Sequence, residues 1–91
     1  MLRLNCFIQT SAENRAEVLE AAKRLTAESL KQDGCIAYDI FESATRPDVL
    51  MICETWSGQA ALNAHSASQV FVDEVGKMQS LGSLKLETFE F

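Results

Sequence analysis

A chain of 91 residues with 47% hydrophobic and 23% charged side chains is one small folded domain, too apolar to be disordered. At this size it buries barely enough apolar surface to stand alone, so a second subunit is expected. Thirteen acidic residues against eight basic ones give a net charge of -5, and no basic stripe is present to neutralise phosphates; nucleic acid and anionic membrane surfaces are therefore not expected partners.

The three cysteines, Cys6, Cys35 and Cys53, are odd in number, lack paired spacing and lie in or beside apolar runs. They read as inert reduced thiols of a cytoplasmic protein. One histidine with scattered thiols does not make a zinc site, so no metal is expected. Met1-Leu2-Arg3 runs straight into a strand pattern, which leaves no signal peptide in view, and the longest aliphatic stretch, 49–53, is far too short to cross a bilayer.

Residues 2–9 alternate, with Leu2, Leu4, Cys6 and Ile8 on one face and Arg3, Asn5, Phe7 and Gln9 on the other, the pattern of a half-buried strand. Thr10, Ser11 and Asn14 are candidate N-caps for the helix that follows, and Asn14, with Glu17 three residues on, is favoured. Val18, Ala22, Leu25 and Ser29, flanked by Leu19 and Leu30, form its apolar stripe to about residue 31. Gly34 suits the left-handed C′ position beyond it.

A second strand over 35–42 and a third over 49–56 are joined by a turn holding Pro47, short enough to make them antiparallel neighbours. From Ser57 a helix with Ala61, Leu62 and His65 on one face ends near His65. A further helix carries a Phe71, Val75, Met78 stripe, and residues 84–91 form a last strand. Strand, helix, strand, strand, helix, strand is the split βαβ order of a ferredoxin-like α+β fold, with helices on one face of a four-stranded antiparallel sheet. The uncovered face is expected to meet a second copy of the same sheet, giving a homodimer.

Chemistry concentrates in 54–65, which holds the only Trp, the only His and a Glu inside an apolar strand. His65 is a natural proton-transfer group because its side chain titrates near neutral pH. Glu54 must be neutralised, paired or hydrogen-bonded if it is interior, and pairing with Arg3 or a lysine is the plainest outcome; it is read as structural. Trp56, Tyr38 and Asn5 are candidate pocket residues, with Glu54-Trp56 and Asn5-Phe7 assigned to the helix-facing side. No phosphate-binding glycine loop, nucleophile elbow or metal-ligand cluster appears, which leaves acid-base or cofactor-free chemistry.

The segments Asp33-Gly34-Cys35-Ile36-Ala37-Tyr38 and Glu54-Thr55-Trp56 with Ala60-Ala61-Leu62-Asn63-Ala64-His65-Ser66-Ala67-Ser68 resemble two motifs of the antibiotic biosynthesis monooxygenase family. These motifs are E-x-G-C-x-x-Y and E-x-W…A-x-L-x-x-H-x-x-S, the second being the more specific. Phe71 falls where the family often has an aromatic residue. The resemblance spans essentially the whole chain and implies a dimeric α/β barrel, with a pocket between sheet and helices. It implies a small-molecule substrate lined by Asn5, Tyr38, Trp56 and Phe71, with His65 as the acid-base group. It also implies oxygenation of a phenolic, quinol or polyketide-like molecule by O₂ with no cofactor. The family's haem-degrading branch has a helix Trp where His65 stands and a His where Val75 stands, so haem chemistry is not expected. An acid-base isomerase of a small carbonyl metabolite, as in the autoinducer-2-processing relatives, and a non-catalytic small-molecule binder are the alternative readings.

Overall fold

The structure is a computed structural model that describes residues 1–91. The elements run β1 (Leu2–Gln9), α1 (Arg15–Ser29), β2 (Cys35–Glu42), β3 (Val49–Trp56), α2 (Gln59–Ser66), α3 (Gln69–Leu81) and β4 (Ser83–Glu90). The four strands form one antiparallel sheet in the order β2-β3-β1-β4, the ferredoxin-like α+β arrangement expected, with β1 and β3 central. The second helical segment is two helices. They are divided at Ser68, whose extended backbone and side-chain oxygen cap α3 by accepting from Phe71 N–H at 3.4 Å.

Burial of aliphatic side chains decides which way each strand faces. Leu2, Leu4 and Ile8 of β1 and Leu50 and Ile52 of β3 turn inward against Val18, Ala21, Ala22 and Leu25 of α1 and Met78 of α3. In an antiparallel ladder directly paired residues point to the same side. Leu4 is paired with Glu54 and Asn5 with Cys53. Glu54 and Trp56 therefore face the helices as expected, but Asn5 and Phe7 do not: the Leu2/Leu4/Ile8 row claims that side, and a period of two sends Asn5 to the other.

Two helix ends also differ from expectation. Asn14 does precede α1, but its side chain makes no cap bond; its Nδ2–H donates to the Leu81 carbonyl at 3.3 Å and ties the start of α1 to the end of α3. At the other end α1 stops at Ser29 with Leu30 right-handed and 54% exposed, so Gly34 is not its C′ residue. Gly34 does have φ +79°, and it serves the entry to β2. Its carbonyl accepts Ser57 N–H at 2.8 Å, and a Cβ there would stand 2.4 Å from Ala61 Cβ. Only glycine lets the α1–β2 turn lie so close to α2.

The helices cover one face of the sheet and leave part of β4 bare: Leu86, paired with Cys6 and thus on the helix side, is 59% exposed. On the opposite face Phe7, Phe41 and Phe89 are all exposed.

Candidate functional site

Between the sheet and α2–α3 lies a cavity of about 240 Å³. Its wall is mostly apolar, from Leu4 and Ile52 of the sheet to Leu62, Val75 and Met78 of the helices, and it opens beside Leu86. Glu54, Tyr38, His65 and Cys6 bring polar atoms to this wall. A mostly apolar cavity with a few converging polar groups is the usual form of a small-molecule site.

His65 is the centre of the arrangement and only 1% exposed. It stands in the last turn of α2, whose distance from the sheet is fixed by the Gly34 approach. Three rings hold the imidazole: Trp56 at 4.5 Å between centroids, Phe71 edge-on at 5.1 Å and Tyr38 edge-on at 5.5 Å. Its Nδ1 is 2.7 Å from Gln32 Oε1 in the α1–β2 turn. A side-chain carbonyl oxygen can only accept, so this contact is a hydrogen bond in the neutral tautomer that carries its proton on Nδ1 and leaves a lone pair on Nε2. Nε2 is buried and has no hydrogen-bond partner; Glu54 Oε1 lies 3.9 Å away, beyond bonding distance.

Glu54 is 5% exposed, and its Oε1 accepts from Trp56 Nε1–H at 2.9 Å. Burial drives each of these groups toward its neutral form. It lifts the Glu54 carboxyl above the ordinary carboxylate range, against the opposing pull of Trp56 N–H and the neighbouring Tyr38 hydroxyl. It drops His65 to about 4. Burial, and then the Glu54 charge, raise the Tyr38 phenol above its ordinary value and push the Cys6 thiol up to about 11. The thiol is thus a weak nucleophile, as expected from sequence. An acid whose proton is held more tightly stands beside an imidazole that is free to accept one, which is the disposition of an acid-base pair.

Of the residues singled out from sequence, the structure brings His65, Tyr38 and Phe71 to the cavity wall. Trp56 is not on that wall; it is fully buried behind it, where it packs on His65 and donates to Glu54. Asn5, on the far side of the sheet, does not line the cavity. Glu54, read as structural, lines the cavity, and Arg3 is not its partner: Arg3 donates to Thr55 Oγ1 at 3.3 Å and lies over the Phe91 ring at 5.1 Å. Gln32 was not singled out at all, since it stands in a polar turn that no periodicity marks.

Fold and site together define a ferredoxin-like small-molecule domain whose one polar focus is a buried carboxyl–imidazole pair. Residues 1–75 match the family model described as antibiotic biosynthesis monooxygenase, and the chain belongs to that family. YcnE of Bacillus subtilis, which is named as a candidate monooxygenase, is 30% identical over 87 residues, 96% of this chain and 92% of that one. A crystal structure from Bacteroides thetaiotaomicron is 54% identical with a TM-score of 0.97, over 99% of this chain and 96% of the other. It is described as a conserved protein of unknown function and a possible oxidoreductase. SnoaB of Streptomyces nogalater, a cofactor-independent oxygenase, shares the fold at 13% identity and a TM-score of 0.88, over 99% and 91% of the two chains.

Proposed function

We propose that this protein is a monooxygenase that oxidises a small phenolic or quinol-like molecule with O₂ and without a cofactor. The observation that carries the reading is the buried, unpartnered Nε2 of His65, a residue that lines an apolar cavity together with Glu54. A substrate hydroxyl can donate to that nitrogen. Proton transfer to Nε2 leaves an electron-rich phenolate next to an imidazolium, and the close contact of the two charges offsets part of the cost that burial places on each. The phenolate is the reductant: electrons pass to O₂, a C–O bond forms at a ring carbon, and loss of water leaves a carbonyl there. One O₂ is consumed; one oxygen enters the ring and the other leaves as water with the hydroxyl and ring hydrogens. The protein holds the proton on His65 and excludes solvent from the intermediate.

Size supports a small substrate. An apolar cavity of roughly 150 Å³ accepts benzene, so about 240 Å³ suits one or two fused rings. The acid-base pair also favours a second reading, isomerisation of a small carbonyl compound with Glu54 as acid and His65 as base. Oxygen uptake with a panel of naphthols and dihydroxynaphthalenes separates the two. The first reading expects uptake that His65→Ala abolishes, and fails if conversion proceeds at full rate under argon.

A homodimer through the bare sheet face completes the proposal. Phe7, Phe41 and Phe89 form exposed aromatic surface there, of the kind that marks an interface. Three free cysteines suit a cytoplasmic setting, and no helix is long and apolar enough to cross a membrane. Sedimentation giving a 10.1 kDa particle at micromolar concentration counts directly against the dimer.

A further inference from the structure

We propose that Gln32 is a positioning residue that fixes the His65 tautomer and so makes the cavity selective for ligands that donate a hydroxyl over ligands that only accept. The selectivity half rests on the reading of the cavity as a hydroxyaromatic site; the tautomer half does not. Gln32 belongs to the turn between α1 and β2, and its Oε1 sits 2.7 Å from His65 Nδ1. Holding the Nδ1 proton leaves Nε2 an obligate acceptor at the cavity. The other tautomer would bury an N–H on Nε2 with no acceptor closer than Glu54 Oε1 at 3.9 Å. Orphaned buried donors are rarer in proteins than under-satisfied acceptors, so the Nδ1–H form is the better satisfied of the two.

The geometry then specifies what can sit between the two residues. Nε2 and Glu54 Oε1 are separated by 3.9 Å, with Nε2 buried; once a ligand displaces the side chains that cover it, one oxygen can reach both atoms at normal hydrogen-bond lengths of roughly 2.8 Å. A hydroxyl donates its hydrogen to Nε2, and its oxygen accepts from Glu54 whenever that carboxyl carries its proton. An ether or a quinone carbonyl brings only lone pairs to Nε2, and sites built around a specific hydrogen bond discriminate strongly against analogues that cannot make it. A reduced ring is therefore held and its oxidised carbonyl product released, a distinction set by a glutamine that never touches the ligand.

Because His65 is the only histidine, its ring nitrogens can be assigned without ambiguity by ¹⁵N–¹H correlation on histidine-labelled protein at neutral pH. The expected result is a proton on Nδ1 in the wild type, loss of that preference in Gln32→Met, and its return in Gln32→Glu, whose carboxylate also accepts from Nδ1–H. In parallel, the wild type should bind 1-naphthol at least about tenfold more tightly than 1-methoxynaphthalene, with the ratio collapsing toward one in Gln32→Met and recovering in Gln32→Glu. A proton on Nε2 in the wild type, an unchanged tautomer in Gln32→Met, or equal affinity of the wild type for the two probes overturns the proposal. Should Gln32→Met not fold, the wild-type spectrum and the Gln32→Glu variant still decide it. Correct tautomers without oxygen uptake on any substrate would sink the oxygenase reading and leave the role of Gln32 in fixing the tautomer standing.

Discussion

The two faces of the central strand pair make an instructive contrast. On the helix side, Leu4 pairs with Glu54 and Ile8 with Leu50, both under helices that shut out water; on the other side Asn5 pairs with Cys53 and Phe7 with Met51, bare of any covering element. Of the eight residues this strand pair puts on each side, one is polar on the helix side (Glu54) and four on the other (Arg3, Asn5, Gln9 and Thr55), but polarity alone does not perturb titration. Enclosure does. The same carboxyl that would be an ordinary solvated anion on the bare face becomes, under α2, a group that holds its proton more tightly and whose neighbour His65 stays neutral down to about 4. Perturbed titration arises where the sheet is roofed, and that is where chemistry can be placed.

Removing the imidazole is the largest test of this contrast. His65→Ala is expected to lower turnover by about 10²-fold or more, the usual contribution of a positioned acid-base group, as measured by oxygen uptake under saturating substrate. A loss of less than about threefold would place the chemistry elsewhere on the molecule.

Trp56→Phe comes next. It keeps most of the packing but deletes the Nε1–H that Glu54 accepts at 2.9 Å, leaving a buried acceptor short of a partner. The expected cost is about 1–3 kcal/mol, read as a lower urea midpoint with unchanged slope. The Glu54 proton should also be held more firmly, since Trp56 opposes the effect of burial on it. A variant as stable as the wild type would show that the bond contributes nothing net.

Glu54→Gln is expected to be smaller and opposite in sign. The folded Glu54 has a pKa raised above its unfolded value near 4.5, so the folded state binds more protons above that pH. Its stability contribution is present below about 4.5 and lost as pH rises through the folded value. Glutamine keeps a carbonyl for Trp56 and has no charge to bury, so the variant should gain melting temperature over the wild type as pH rises above about 4.5. His65 works from the acid side: its pKa falls from 6.5 to about 4 on folding, so its contribution is intact above 6.5 and lost as pH drops toward 4, in the wild type and in Glu54→Gln alike. Identical melting profiles for the two proteins across this range would mean that Glu54 is solvated.

Much of the fold was legible because its signals are local. Alternation placed 2–9 as a strand, aromatic and β-branched content placed 35–42, an apolar run placed 49–56, and the 3.6-residue stripe through Val18, Ala22 and Leu25 placed α1. The site was legible only in part, since its parts meet through register. Alternation says that Asn5 and Leu4 face opposite ways, yet not which of them pairs with Glu54; a shift of one residue exchanges the faces, and the assignment of Asn5 and Phe7 to the helix side chose the wrong one. Trp56 and Glu54 were exchanged for a similar reason: a two-residue offset puts both on one side, while depth along the strand decides which reaches the cavity and which stands behind it. Gln32 contacts His65 across 33 positions of sequence. Its one hint was that the motif E-x-G-C-x-x-Y opens two residues before its glycine, where this chain has Gln32 and so keeps a side chain of the same length with a carbonyl oxygen.

The smallest expected effect is the sharpest on the question of faces. Asn5 lies across the sheet from the cavity, paired with Cys53 and Glu87, and its side chain is absent from the cavity wall. Asn5→Ala should therefore leave turnover within about twofold of the wild type, because no group that touches substrate changes its surroundings. The same substitution lies on the sheet face assigned to the dimer, so any effect should appear as a change in the dimer dissociation constant by sedimentation, with activity per folded dimer constant. Loss of turnover in dimers that remain intact would mean that the outer face reaches the reaction, and the enclosure argument would then fail at its simplest point.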